Sequence, residues 1–283
     1  MDKLKIWQPG LSWETAEKKW DKKSSLLNQT HPLKTLGSLP KMPGITEETA
    51  QGLKWKSLKY LLTKEAPQRV FFRYFFKHPI RYTLQFIKSA WKKHSYSRDG
   101  DFFYYGIQSV DEFQNLLSEE NILFVIGFSY CHKPHECPSG RFSPECVRDP
   151  DHPVCRQCFI GKAVNALPLH QDHIRPLFIP TIHYIGEQLF QLREEHPDKK
   201  ILFLITACEM TLEMFGDWGN MIQAQGIGVR LDGRICNTMK AFELSEAGIK
   251  PGLTVVLPDT QMRILDIIKM LWSRGSSASD ETV

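Results

Sequence analysis

The chain has 283 residues, a net charge of +4, and 42% hydrophobic against 24% charged residues. That balance excludes wholesale disorder, and the length suffices for one large domain or two modest ones with a core that needs no disulfide staples. Seven cysteines cannot all pair within one chain, Met1 to Gly10 lacks a secretory apolar stretch, and no run of about 18 apolar residues occurs. The expectation is a cytoplasmic protein, at most peripheral on a membrane, whose thiols bind metal rather than one another.

Residues 1–53 are polar and broken by Pro9, Pro32, Pro40 and Pro43, with Gly10, Gly37 and Gly44 between them. This predicts a loosely ordered arm with short helical pieces such as Trp13 to Asp21. Residues 54–100 form a basic aromatic helical segment. From 54 to 98, twelve Lys or Arg stand against one acid, Glu65, a net of +11 that leaves −7 for the rest of the chain. Eleven aromatics run from Trp55 to Tyr96 in the same stretch. Pro67 and Pro79 divide it into three helices. In the third, Ile80, Leu84, Ile87 and Trp91 share one face.

Residues 101–274 read as an α/β domain. Strands are expected at Ile122 to Phe128, Leu177 to Ile179, Ile201 to Thr206, Ile227 to Leu231 and Leu253 to Leu257. Helices are expected at Thr181 to Glu195, Glu209 to Gln225 and Pro258 to Trp272. The alternation indicates a mainly parallel sheet with flanking helices. The end of the chain is polar from Ser273, and 275–283 reads as a disordered tail.

Five cysteines crowd one loop: Cys131-x5-Cys137-x8-Cys146-x8-Cys155-x2-Cys158. The loop follows a strand and holds Pro134, Pro138, Pro144, Pro150 and Pro153, so it is long to order without help. A bound metal supplies such help, with structural zinc contributing on the order of 10–16 kcal/mol in small peptides. The two-residue gap of Cys155 and Cys158 lets both thiolates reach one ion, as in zinc sites and iron–sulfur loops. His132, His135 and His152 are alternative ligands. Lys133, Arg141, Arg148 and Arg156 favour thiolates. Cys208 and Cys236 lie far away in sequence, yet each follows a predicted strand, as Cys131 does. The carboxyl ends of parallel strands are where ligands bind. The expectation is therefore one site at one sheet edge, with Cys131, Cys137, Cys146, Cys155, Cys158, Cys208 and Cys236 as candidate metal ligands. The spacing admits either an iron–sulfur cluster or zinc.

Pro180 to Phe215, with Ala207-Cys208-Glu209 at a strand–helix junction, resembles a segment of the family called domain of unknown function 116. Cys236-Asn237-Thr238 is similar to that family's Gly-Cys-x-x-Thr-like segment, and the cysteines ending in Cys155-x2-Cys158 fit its cysteine-rich opening. The resemblance covers about 120–257 and leaves the first hundred residues unexplained. This chain departs from the pattern: Ile235 stands where glycine is expected, and Cys236 and Thr238 are closer together. The resemblance implies metal or iron–sulfur binding without a reaction. It carries over onto Cys131, Cys137, Cys155, Cys158, Cys208 and Cys236, and onto Cys146 less clearly.

For residues 54–98 three readings stand. The helices dock on an anionic membrane surface or a partner, bind nucleic acid, or pack their aromatics on the α/β domain with the basic face toward its acids. A nucleophilic Cys208 at a helix start with Glu209 as base is a further possibility, and His170, Asp172 and His173 stand by as supporting groups. No glycine-rich phosphate loop and no Gly-x-Ser-x-Gly elbow occurs. Together these features predict an iron–sulfur protein with a redox or accessory enzymatic role and a protein or small-molecule partner. The alternative is a structural zinc protein that acts as a binding module through 54–98.

Overall fold

The computed structural model describes residues 5–8, 10–34, 44–90, 96–149, 151–169, 171–250 and 252–277. Pro9, Gly37, Pro40, Pro43, Trp91, Lys92, Lys93, Pro150, His170 and 278–283, all invoked above, lie outside them. In chain order the elements are α1 (Trp13–Thr30), α2 (Glu47–Ala50), α3 (Leu53–Thr63), α4 (Glu65–Phe75), α5 (Pro79–Ala90), β1 (Ser97–Asp99), β2 (Phe102–Tyr105), α6 (Val110–Leu117) and β3 (Ile122–Ser129). A 3₁₀ turn (Tyr130–His132), α7 (Pro153–Gln157), α8 (Phe159–Asn165), β4 (Ile174–Ile179), α9 (Ile182–Glu195), β5 (Lys200–Ala207) and α10 (Glu209–Met221) follow. The chain closes with β6 (Gln225–Arg230), β7 (Asp232–Gly233), α11 (Met239–Glu246), β8 (Thr254–Val255) and α12 (Pro258–Ser277).

Six strands form one sheet in the order β1-β2-β6-β5-β3-β4. The last four run parallel, and β2 and β1 add an antiparallel edge. This is the α/β, mainly parallel sheet that the alternation predicts. Ile122 to Phe128 and Ile201 to Ala207 are buried without a break, because crossover helices cover both faces of a parallel sheet. The helices pack in two groups, α9 and α10 with α3, α4 and α5, and α6 and α8 with α12. Right-handed crossovers put these groups on opposite faces.

Several elements differ from the sequence expectation. The arm contains an 18-residue helix, α1, capped by Ser12, which buries Trp13, Ala16 and Trp20. Lys162 of α8 holds it through Glu17 (3.1 Å) and Asp21 (2.7 Å). Strand β2 escaped notice because Phe102 to Tyr105 are all buried, so no alternation marks it. The strand expected at Leu253 to Leu257 shrinks to Thr254–Val255, which pairs with β7 outside the main sheet. Helix α12 runs to Ser277, past the expected start of the tail.

The basic segment forms the three expected helices. Their cations meet the acids of the α/β domain: Lys64 pairs with Glu243 (2.8 Å), Arg73 with Glu187 (2.6 Å) and Lys77 with Glu194 (2.8 Å). Beneath these pairs Tyr74 is buried and stacks on Phe190 at 4.8 Å. Exposed ion pairs contribute little, whereas a buried aromatic contact contributes several kilocalories. Tyr74→Ala is therefore expected to lower the unfolding free energy by about 3–5 kcal/mol. Arg73→Ala should lower it by less than about 1 kcal/mol. Urea titration followed by circular dichroism checks both.

Candidate functional site

The order of the sheet reverses between β3 and β5. The chain leaves β3 toward β4 on one side and leaves β5 toward β6 on the other. A crevice opens at such a point beyond the carboxyl ends of the strands. Cys131 and Cys208 emerge there and line one cavity of about 30 Å³, together with Ser129, Thr181, Thr206 and Glu246.

Cys208 is the N-cap of α10. Its carbonyl accepts the Leu212 N–H at 3.0 Å, and its Sγ lies 3.2 Å from the Thr211 hydroxyl. The Thr211 backbone N–H also reaches that sulfur. Cys236 Sγ donates to the Ala241 carbonyl at 3.5 Å, Lys250 Nζ stands 3.1 Å from the same sulfur, and the Cys208 and Cys236 thiols act on each other. The hydrogen bond from Cys236, opposed by burial and aided by Lys250, holds Cys208 below the usual thiol range. The same bond and burial push Cys236 up. Burial also raises Cys131, although Lys250 counters it. Cys131 Sγ lies 3.7 Å from the Ser245 hydroxyl. The three strand-end cysteines thus form one electrostatic group around one ammonium.

Glu246 is the acid of this cavity. It accepts the Ile182 N–H at 2.8 Å and the Tyr60 phenol at 3.4 Å, and lies 3.9 Å from His183 Nδ1. Burial pushes its carboxyl up to about 8, with the Cys208 charge adding to the rise. Glu209, the base expected beside Cys208, is engaged elsewhere. Arg98 at 2.7 Å and Arg230 at 3.2 Å hold its carboxylate in a buried ion-pair cluster. His173 precedes β4 and so sits at the amino edge of the sheet, opposite Cys208.

The remaining four cysteines form a second group. Cys146 and Cys137 are the thiols whose charge raises Cys155 and Cys158, and Cys137 does the same to Cys146. Burial is the larger cause, and it pushes Cys155 up to about 11 and Cys158 up to about 12. Backbone N–H groups point at three of the sulfurs: Gly161 and Ile160 at Cys158, Asp149 at Cys155, and Arg148 at Cys146. Arg148 takes a left-handed φ of 52°, strained for a residue with a Cβ. Gly161 is required by space, since a Cβ there would meet the Cys155 carbonyl oxygen at 2.6 Å.

Two cations order the loop. Lys133 is buried, and its ammonium donates to the carbonyls of Ser143 (2.7 Å), Glu145 (2.6 Å) and Gly140 (3.4 Å). Arg141 donates to the carbonyls of Cys131, Lys133, Lys250 and Gly252, which ties the loop to the segment that carries Lys250. Burial lowers Lys133, while Cys137, Cys146 and Cys158 raise it. Of the three loop histidines, His152 caps α7 through Nδ1, His135 is exposed, and His132 is held neutral by burial at about 4 with Nδ1 unpartnered.

The expected convergence of three strand ends is thus present for Cys131, Cys208 and Cys236. Cys137, Cys146 and Cys158 act on Lys133 instead, and Cys155 is linked to Cys137 and Cys146. Among the described residues, no group of three or more His, Cys, Asp or Glu side chains is placed to hold a metal ion as the side chains stand. The loop cysteines supply soft sulfur donors, and Lys133 beside three of them supplies a buried counter-charge. Lys250 and Glu246 left no signal in the sequence, since their partners are 14 to more than 60 residues away. No protein family, curated protein or solved structure matches the chain.

Lys133→Met should lower stability by about 2–3 kcal/mol, the range for hydrogen bonds to a charged group. It should also speed amide exchange between 137 and 146, read by mass spectrometry. Glu246 has a folded pKa above its ordinary 4.5. Below about pH 4.5 it is protonated in both states. As pH climbs toward 8 the unfolded chain loses the proton that the folded chain keeps, so stability falls across that window and levels off above it. Glu246→Gln should flatten this slope, measured by urea titration at about pH 5 and about pH 8.

Proposed function

We propose that the protein binds an iron–sulfur cluster through Cys137, Cys146, Cys155 and Cys158 and serves a redox or accessory enzymatic role. The observation that supports this reading is the buried Lys133 ammonium, on which the charges of Cys137, Cys146 and Cys158 act, with Cys155 acted on in turn by Cys137 and Cys146 and backbone N–H groups bonding three of the four sulfurs. A thiolate-ligated cluster is anionic. Hydrogen bonds to its sulfurs and a nearby ammonium stabilise that charge and raise its reduction potential. Burial raises Cys146, Cys155 and Cys158, so metal binding displaces their protons and depends on pH. The resemblance to domain of unknown function 116 agrees with thiolate–metal chemistry. Four cysteines also suit structural zinc, whose tetrathiolate carries a comparable negative charge.

Anaerobic purification tests the proposal. Stoichiometric iron and sulfide with broad visible absorption are expected. A colourless protein carrying zinc would refute the iron–sulfur reading and leave the zinc alternative. Cys158→Ser should lose the metal, and Cys131→Ser should retain it.

A second reading concerns the basic segment. Ile80, Leu84 and Ile87, predicted to share one helix face, are exposed at 77%, 62% and 43%, and Phe76 beside them is exposed too. Among the described residues nothing covers this face, and Arg81 and Lys88 flank it. We propose that it seats on an anionic lipid surface, where apolar side chains enter the boundary and each cation contributes about 1 kcal/mol. No helix among the described residues is long and apolar enough to cross a membrane. Flotation with anionic but not neutral liposomes is expected, lost in Ile80→Glu/Leu84→Glu. Equal flotation with both would refute it.

A further inference from the structure

We propose that Cys208 and Cys236 form a peroxide-reactive dithiol, in which Cys208 attacks a small peroxide in the cavity and Cys236 resolves the product to a disulfide. The inference goes beyond the metal reading and does not depend on it. It rests on four observations: the division of labour between the two thiols, the size of the cavity, its polar lining, and a positioned proton donor.

Cys208 lines the cavity and Cys236 does not. The two thiols act on each other and on the same ammonium, Lys250, which stands 3.1 Å from Cys236 Sγ. Cys208 has the surroundings of a thiolate: the α10 N-terminus, the Thr211 N–H and hydroxyl, the Cys236 thiol and the Lys250 ammonium. Cys131, the other thiol of the cavity, has no such helix terminus and is kept protonated by burial. The cavity of about 30 Å³ has room for about two waters, since one requires roughly 10–15 Å³. Two oxygen atoms fit, whereas an acyl group or an organic disulfide does not. Thr206 is fully buried in the wall and its hydroxyl has no partner. It is placed to hydrogen-bond a small polar guest. Glu246 lines the same wall.

The steps balance. The Cys208 thiolate attacks one peroxide oxygen, the O–O bond breaks, and the departing hydroxide takes the Glu246 proton to leave as water. Cys208 becomes a sulfenic acid. The Cys236 sulfur then attacks Cys208 Sγ, the S–O bond breaks, and the hydroxide leaves with the Cys236 proton as a second water. The two thiols lose two electrons and the peroxide gains them. Glu246 is reprotonated by the equivalent that Cys208 released on ionising. The sulfurs must close to the disulfide length of about 2 Å.

The test uses the reduced full-length protein and less than one equivalent of hydrogen peroxide, followed by peptide mapping under non-reducing conditions. A Cys208–Cys236 disulfide is expected before any other cysteine is oxidised. In Cys236→Ser, dimedone should trap a sulfenic acid on Cys208. Lys250→Met should slow the reaction about tenfold, the effect of one pKa unit on the thiolate fraction. Tert-butyl hydroperoxide, too large for the cavity, should react more slowly than hydrogen peroxide. Oxidation of Cys131 or a loop cysteine ahead of Cys208 in the wild-type protein would overturn the proposal, and that readout needs no variant. The mapping is run on protein with its metal retained and with its metal removed by chelator. A protein that takes up no metal yet forms the Cys208–Cys236 bond refutes the cluster and supports the dithiol. A metal-loaded protein that never forms the bond refutes the dithiol alone.

Discussion

Strands β3 and β5 lie side by side in parallel, paired from Ile122 with Lys200 to Phe128 with Thr206, and their connections leave in opposite directions. Everything chemical in the molecule depends on that reversal. A helix that crosses one face cannot also cover the gap where its neighbour departs toward the other. The residues that follow the two strands, Cys131 and Cys208, are left facing each other across a small opening. The buried apolar runs of the two strands fix where these residues leave the sheet.

The rest of the site is attached to this junction by cations bonded to backbone. Arg141 reaches the carbonyls of Cys131 and Gly252, and Lys133 collects three carbonyls of the cysteine-rich loop. A charged donor inside a loop satisfies several otherwise orphaned acceptors at once. This is how a proline-rich segment of that length stays ordered. One consequence is a division of the seven cysteines into two groups, each with its own lysine. Lys133 stands among the loop thiols, and Lys250 among those of the strand ends. Two clusters with separate counter-charges can serve different chemistry, which is why the metal reading and the dithiol reading do not compete for ligands.

The helices of the basic segment show the same logic at larger scale. Their cations face acids of α9 and α11, and the buried Tyr74 sits on Phe190. The opposite face of α5 is left apolar and uncovered. Packing within the chain uses one side of these helices, and of the twelve cations of 54–98 Lys64, Arg73, Lys77 and Arg98 already meet acids elsewhere in the chain.

The sequence by itself determined the parallel α/β core, because uninterrupted apolar runs such as Ile122 to Phe128 and amphipathic periods such as that of α9 are local signals. It also determined that Cys131, Cys208 and Cys236 follow strand ends, since a residue's place along a strand is local too. It misjudged the arm at α1 and missed β2, where burial on every side erases the alternation. Only the tertiary structure decided which cysteines meet. Strand order, not spacing, separates Cys131 from the loop cysteines that follow it and joins it to Cys208, and the partners that give those thiols their character, Lys250 and Glu246, come from a segment with no sequence mark. Proximity across the fold is a property of topology, and topology is set by how the helices share the two faces of the sheet.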